Sequence, residues 1–152
     1  MTHGASRRGL LAGAAVGGAL AAGGAAAEDA IWSAEYWAEK GPVKLYLFRK
    51  RLGAPRPGEA AKPVLFLVHG SSNSARPSFD LTVPGKGEYS LMNVFARLGY
   101  DVWTMDHENY GRSSRTDSNS DIASGAADLA AAMPVVARET GAARLHMMGE
   151  SS

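Results

Sequence analysis

Along this chain, segments with the two-residue alternation or the apolar runs of strands are followed by segments with the apolar spacing of helices. The sequence therefore predicts strands and helices in alternation. Two strand-like stretches flank a Lys-Gly-Pro turn at residues 40–42, and the second alternates apolar and polar or aromatic positions from Val43 to Phe48. This pattern predicts a hairpin. After a Pro- and Gly-rich connector, Val64–Val68 is continuously apolar, which predicts a strand buried on both faces.

Helical spacing follows in two segments. Ser90 precedes a run with apolar residues at helical intervals, and Gly99 ends it, so we predict a short helix over 91–98. A longer helix is predicted over 120–141, kinked or restarted at Pro134. Its apolar face is expected to carry Ile122, Ala126, Leu129, Met133 and Val136. Residues 71–89 between the first buried strand and the first helix are predicted to be a loop.

Two more strands complete the pattern, one over 101–106 and a buried one over 143–148. Strands that alternate with helices predict an α/β domain with a mostly parallel sheet and flanking helices. The carboxyl ends of parallel strands share one edge of the sheet. Residues 69–72, 106–113 and 149–152 are therefore expected to meet at one crevice.

Composition narrows the classes of function. The chain has 152 residues and a formal net charge of +1, with no cluster of basic residues, which argues against nucleic acid as a partner. It has no cysteine, which excludes disulfides, thiolate nucleophiles and cysteine-type zinc sites. No metal-ligand spacing is found, and "PGKGEY" lacks the phosphate-loop pattern. No metal or cofactor is expected.

Residues 1–27 have the three parts of a secretory signal. Arg7 and Arg8 precede a long uncharged Ala/Gly/Leu stretch, and small residues at 25–27 precede Glu28. The paired arginines resemble a bacterial twin-arginine signal, which predicts a periplasmic or secreted protein that begins near Glu28. A transmembrane anchor is the alternative, but the high glycine content disfavours it. No stable membrane span is expected after cleavage.

Three motifs follow the three strands in order: "LFLVHG", "MDHENYGRSS" and "MGESS". Together they are similar to the α/β-hydrolase superfamily, over roughly residues 31–152. The second resembles the family's Asp-x-x-Gly-x-Gly-x-Ser turn, with Asn109 in place of the first glycine. The third resembles the Gly-x-Ser-x-Gly nucleophile elbow, without its last glycine. The resemblance implies an α/β-hydrolase domain over 28–152, truncated at the nucleophile elbow.

The resemblance also implies a catalytic role for Ser151, which would attack an ester, amide or related acyl bond of a small molecule and form an acyl-enzyme. The oxyanion hole would use the backbone N–H groups of Ser152 and Ser71, or of Ser72 if the loop is shifted by one. The residues expected to support the elbow and turns are Gly149, Gly70, His69 and Gly111.

The family's chain order is serine, acid, histidine, and all four histidines precede Ser151. The base and the acid are therefore expected beyond residue 152, in a longer hydrolase of which this chain is the N-terminal part. Residues 28–152 alone are expected to be inactive and poorly folded. The alternative is a non-catalytic ligand-binding protein on the same scaffold. Oligomeric state and substrate identity stay open.

The other polar residues near the strand ends receive structural interpretations. His69 is expected to bond nearby backbone, and Asp106 to anchor its own turn. His107 is interpreted as a surface turn residue, with substrate contact as the alternative. His146 is predicted to lie in the core. The aromatic group Trp32, Tyr36 and Trp37 is predicted to be core or sheet cover.

Overall fold

A computed structural model describes residues 30–151 of the chain. The predicted signal at residues 1–27 and the predicted oxyanion-hole residue Ser152 lie outside the described residues. Within the described part, no helix is both long and apolar enough to span a membrane.

The first two strands form the predicted hairpin. β1 (Ile31–Lys40) and β2 (Val43–Leu52) pair antiparallel along their full length, from Ile31 opposite Leu52 to Lys40 opposite Val43. The two-residue connection turns at Gly41, whose φ of 58° lies in the left-handed region that glycine adopts without steric cost. The hairpin prediction is confirmed.

Three further strands are β3 (Val64–Val68), β4 (Asp101–Met105) and β5 (Leu145–Gly149). The sheet order is β1-β2-β4-β3-β5, and β3 pairs in parallel with both β4 and β5. Because β2 is antiparallel to both of its neighbours, β1 runs in the same direction as the three parallel strands. The predicted mostly parallel α/β sheet is confirmed.

The described residues contain the helices α1 (Ala75–Phe79), α2 (Leu91–Arg97) and α3 (Ile122–Thr140). The Ser90 hydroxyl caps α2 by accepting a hydrogen bond from Asn93 N at 3.0 Å. Helix α3 runs through Pro134 as one element, so the helix does not restart there. The prediction of a continuous loop over 71–89 is wrong, because α1 forms within it; one turn is too short to give a periodic signal.

Successive strand residues point to opposite sides of the sheet, so apolar side chains lie on both faces. Helices cover each face. On one face, Leu45, Leu47 and Phe66 form a core with Ala132 and Val136 of α3. On the other face, β2 and β3 side chains pack on α1 and α2. That second core contains Tyr46, Phe48, Leu65, Leu67, Phe79, Met92, Ala96 and Val102.

The predicted inner face of α3 is partly wrong. Ile122 is 84% exposed, and Ala126 is also exposed. Leu129 and Met133 are half-buried against the core, whereas Val136 is buried as predicted. The face that is fully buried carries Asp128, Ala132, Val135 and Val136. An Ala-rich helix has a weak apolar pattern. The buried Asp128 could therefore rotate the inner face of α3 with little trace in the spacing of the apolar residues.

The prediction of β5 as a buried strand with a core histidine is wrong for the described residues. β5 pairs with β3 alone, Met147 is 49% exposed, and His146 is exposed with its ring beside that of Tyr100. The physical reason is that only Leu145 of this strand packs against the core. An apolar strand sequence alone does not distinguish an edge from a centre.

A buried ion pair joins the hairpin to the parallel strands. Arg49 of β2 donates to Asp101 of β4 at 2.5 and 2.8 Å, and both side chains are buried. The guanidinium lies 5.0 Å from the Trp103 ring, which is 4.9 Å from the ring of Tyr36. Trp37 is 46% exposed and packs on Tyr46, so these aromatic side chains cover the sheet.

Candidate active site at the carboxyl ends of the parallel strands

The three parallel strands end at the same level. In the register, Val68 at the end of β3 lies beside Met105 of β4 and Gly149 of β5. The backbone N–H of Glu150 continues the pairing by donating to Val68 O at 3.1 Å. The segments that follow the three strands, 69–72, 106–113 and 149–151, therefore share one edge of the sheet, as their sequence order predicts.

Ser151 lies where the backbone of β5 meets the segment after β3. Its φ of 22° lies in the left-handed region, which a non-glycine residue adopts at a cost in free energy. A Cβ built on Gly70 would overlap the carbonyl group of Ser151. Gly70 therefore has to be glycine for the two segments to approach, and Ser151 is held in a strained, exposed turn.

The steric demand at Gly149 is smaller. The nearest atom to a Cβ built there is 3.9 Å away, which is ordinary van der Waals contact. Of these two expected support residues, Gly70 makes the close backbone approach and Gly149 does not. Gly70 ends the "LFLVHG" motif, and its contact is with the segment that follows β5.

Ser71, the predicted oxyanion-hole donor, directly follows Gly70 at this edge. Its carbonyl accepts a hydrogen bond from the Tyr110 hydroxyl at 2.8 Å, which orients the peptide group between Ser71 and Ser72. Its backbone N–H has no hydrogen-bond partner among residues 30–151. Ser71 also lines a cavity at this edge, whereas the alternative donor Ser72 does not.

Asp106 holds the turn after β4 together with the start of α1. Its carboxylate accepts from Ala75 N at 2.9 Å and from Arg112 N at 2.8 Å. Gly111, with a φ of 45°, packs so closely on this carboxylate that a Cβ would overlap it. Asn109 takes a φ of 71°, so the asparagine adopts the left-handed conformation of the glycine that it replaces.

His69 is buried, and both of its ring nitrogens bond backbone groups. Nδ1 lies 2.7 Å from Gly70 O, and Nε2 lies 3.0 Å from the backbone N of His107. A carbonyl only accepts and an N–H only donates, so the proton must sit on Nδ1. Burial lowers the pKa of His69, which keeps the ring neutral. A neutral ring with two fixed bonds is a support rather than a base.

A buried polar cluster lies beneath this edge, and the sequence did not reveal it. Asp128 of α3 accepts from Lys40 Nζ, from His107 Nδ1 at 3.0 Å and from Glu108 N at 2.9 Å. Lys40 also bonds Glu108 at 2.7 Å. Burial alone would raise the pKa of Asp128, but its bonds from His107 and Lys40 hold the pKa below the usual value.

His107 is therefore not an exposed turn residue, since its side chain is only 14% exposed. It lines the cavity with His69, Gly70, Ser71 and Tyr110 on one side and the start of α3 on the other. The cavity has a volume of about 310 Å³, which suits a small molecule. Ser151 is not part of its lining but abuts Gly70, which is.

The same part of the chain offers no metal centre: residues 30–151 contain no group of three or more His, Asp or Glu side chains placed to hold an ion. The site consists of backbone donors, one strained serine, fixed imidazoles and a cavity. Asp128 and Lys40 are the site residues that sequence reasoning missed. The sequence feature that could have indicated Asp128 is its position four residues before Ala132, which places both side chains on the same face of α3.

Substitution of Gly70 by alanine should destabilise the protein, because the new methyl group would displace the Ser151 carbonyl. Overpacking of this kind costs about 1 to 3 kcal/mol. Gly149→Ala is the matched control, since its methyl group meets no atom closer than 3.9 Å. Urea unfolding of both variants measures the difference, and equal stability of the two would contradict the close approach.

Stability should fall as the pH drops from 7.5 to 5.5, because the folded protein resists protonation of His69. The pKa of His69 is lowered below its unfolded value of about 6.5. The stabilisation is therefore present above that value and is lost as the pH falls from it through the lower pKa of the folded protein. Protonation of His69 Nε2 would also place a second donor against the backbone N–H of His107, which donates to that atom.

His69→Gln, whose amide oxygen can still accept from His107, should flatten this pH dependence in thermal unfolding. The exposed His146→Gln is the control and should keep it. A His69→Gln protein with the wild-type pH dependence would show that His69 is not its source.

Comparisons with known proteins identify the fold of the chain. No family model and no curated protein matches the chain. Among solved structures, it is similar to a predicted CIB-like hydrolase from Thermoplasma acidophilum, with 18% identity, a TM-score of 0.52 and coverage of 80% of this chain and 52% of that one. Epoxide hydrolase A from Mycobacterium thermoresistibile is 23% identical, with a TM-score of 0.51 and coverage of 78% and 31%.

A thioesterase domain from the curacin biosynthetic pathway matches at 19% identity and a TM-score of 0.54, over 78% of this chain and 35% of that one. The chain thus spans between about a third and a half of the length of these structures. All three are hydrolases with the α/β-hydrolase fold. At these identities the likeness establishes architecture alone, and the chain has the α/β-hydrolase fold.

Proposed function

We propose that the full-length protein is a serine hydrolase in which Ser151 attacks the acyl carbon of a small ester, amide or related substrate. The observation that carries the proposal is the strained left-handed turn of Ser151 at the end of β5, pressed against Gly70. Such a turn exposes the hydroxyl of a nucleophile at the carboxyl edge of a sheet. A strained serine in an ordinary loop would have no reason to be maintained.

The free N–H of Ser71 supplies the second element of the proposal. Attack by the Ser151 hydroxyl turns the substrate carbonyl oxygen into an oxyanion, which this N–H can bind. A donor of this kind contributes about 2.7 to 4 kcal/mol to the transition state. The second donor is proposed to be the backbone N–H of Ser152, the residue after the nucleophile.

The base and acid are proposed to follow residue 152. His69 cannot serve, because both of its nitrogens are bonded to backbone groups. His107 is bonded to Asp128 through Nδ1, and it lines a cavity whose lining does not include Ser151. A histidine from a later segment, held by a carboxylate, would take the Ser151 proton and return it to the leaving group.

The full-length protein should be labelled by a fluorophosphonate probe at Ser151. Ser151→Ala should lose the label and lower kcat for p-nitrophenyl esters by about a millionfold. Ser33→Ala, an exposed serine on β1, is the matched control. Labelling of the Ser151→Ala protein would move the nucleophile to another serine, and absence of any label on the wild type would favour a non-catalytic binding protein.

The protein is also proposed to be exported by the twin-arginine route, on the sequence of residues 1–27 alone. Conversion of both Arg7 and Arg8 to lysine should retain the precursor in the cytoplasm, because that route recognises the arginine pair. Cell fractionation measures the outcome, and N-terminal sequencing of the exported form should begin near Glu28. Unchanged export of the double variant would contradict the route.

A further inference from the structure

The peptide group between Gly70 and Ser71 carries the proposed oxyanion donor. The Gly70 carbonyl and the Ser71 N–H belong to this one planar unit. In a trans peptide the two groups point in opposite directions, so a contact that holds the carbonyl oxygen also sets the direction of the N–H. The Ser71 N–H has no hydrogen-bond partner among residues 30–151, and Ser71 lines the cavity.

The His69 ring holds this peptide by its carbonyl. Nδ1 lies 2.7 Å from Gly70 O, and the residue is only 3% exposed. Nδ1 must be the donor, because Nε2 accepts from the backbone N–H of His107 at 3.0 Å. The ring therefore cannot turn away from Gly70 O without breaking both bonds.

Neighbouring groups keep the His69 ring in place. The rings of His107 and Tyr110 each lie 4.9 Å from it, between centroids. Asp128 in turn holds His107 by Nδ1 at 3.0 Å and the backbone N of Glu108 at 2.9 Å. The buried polar cluster under the edge is thus connected through His69 to the peptide that carries the donor.

The same peptide begins at the residue that touches the proposed nucleophile. A Cβ built on Gly70 would lie 1.7 Å from the carbonyl oxygen of Ser151. A shift of this peptide would change the distance from the Ser71 N–H to an oxyanion formed by attack of Ser151, and such a donor works only within about 3 Å. A hydrogen bond into the carbonyl also polarises the peptide, which strengthens its N–H as a donor.

We propose that His69 is a positioning residue for acyl hydrolysis: its Nδ1–H orients and polarises the peptide whose N–H, at Ser71, binds the oxyanion. The proposal rests on the proposed hydrolase function and adds to it a histidine that acts through the oxyanion donor rather than as a base. The oxyanion exists only after attack on the substrate, so the effect of His69 falls on kcat and not on KM.

The test compares His69→Asn with His69→Leu in the full-length protein, because the two new side chains have nearly the same shape. The Asn amide can donate to Gly70 O from near the Nδ1 position, and Leu cannot. Neither side chain extends to the Nε2 position, so both variants lose the bond from His107. Loss of a whole oxyanion donor costs 10²–10³ in kcat. His69→Leu should lower kcat for p-nitrophenyl esters by about tenfold to a hundredfold, and His69→Asn should keep most of the wild-type value.

A trifluoromethyl ketone that forms a tetrahedral oxyanion adduct separates positioning from general support. Its affinity for His69→Leu should fall by the same factor as kcat, whereas the corresponding alcohol, which forms no oxyanion, should bind both variants equally. His146→Gln, on the exposed part of β5, is the control and should match the wild type. Rates are expressed per active site, counted by complete fluorophosphonate labelling, and thermal unfolding measures the stability of each variant.

The outcomes separate the two proposals. Equal kcat in the two variants, or a change in KM alone, overturns the role of His69 while labelling of the wild type at Ser151 keeps the hydrolase function. A wild type that is not labelled overturns the hydrolase function and this role with it.

If either variant fails to fold, the wild type itself supplies the test. In a protein with ¹⁵N-labelled histidine, the Nδ1–H resonance of His69 should move downfield when the ketone binds, because the charge of the adduct polarises the Gly70–Ser71 peptide. A resonance that stays in place overturns the proposal.

Discussion

The parallel pairing of β3 with both β4 and β5 is the constraint on which the candidate site depends. It aligns Val68 with Met105 and Gly149, so the next residues of all three strands must share one crowded edge. Backbone segments can approach there only if a side chain is missing, and Gly70 meets that demand against Ser151. Parallel strands of one sheet also require crossover connections, and the crossover from β4 to β5 places the start of α3 over this edge.

Fixed hydrogen bonds then hold three side chains of the edge in place. The Asp106 carboxylate joins the turn after β4 to α1, His69 bridges Gly70 and His107, and Asp128 joins α3 to His107. Preorganised groups of this kind need no rearrangement when charge develops in a reaction. The backbone N–H of Ser71 has no hydrogen-bond partner among the described residues, and Ser71 lines the cavity.

Sequence patterns within a short segment predicted the elements that form through interactions within that segment. The alternation after Val43, the apolar run of β3 and the Ser90 cap predicted the hairpin, a strand and a helix that the structure contains. The single turn of α1, the rotation of the α3 inner face and the exposure of β5 depend on contacts between distant segments. The Lys40–Asp128 pair joins residues 88 positions apart, so no window of sequence could reveal it.

The central claim is that Ser151 presents its hydroxyl to an acyl group whose oxygen is bound by the Ser71 N–H. A crystal structure of the full-length protein after reaction with a phosphonate tests it most directly. The account predicts a covalent bond from phosphorus to Ser151 Oγ and a phosphoryl oxygen about 3 Å from the Ser71 nitrogen. Phosphorus bound to any other residue, or an oxygen directed away from Ser71, would contradict it.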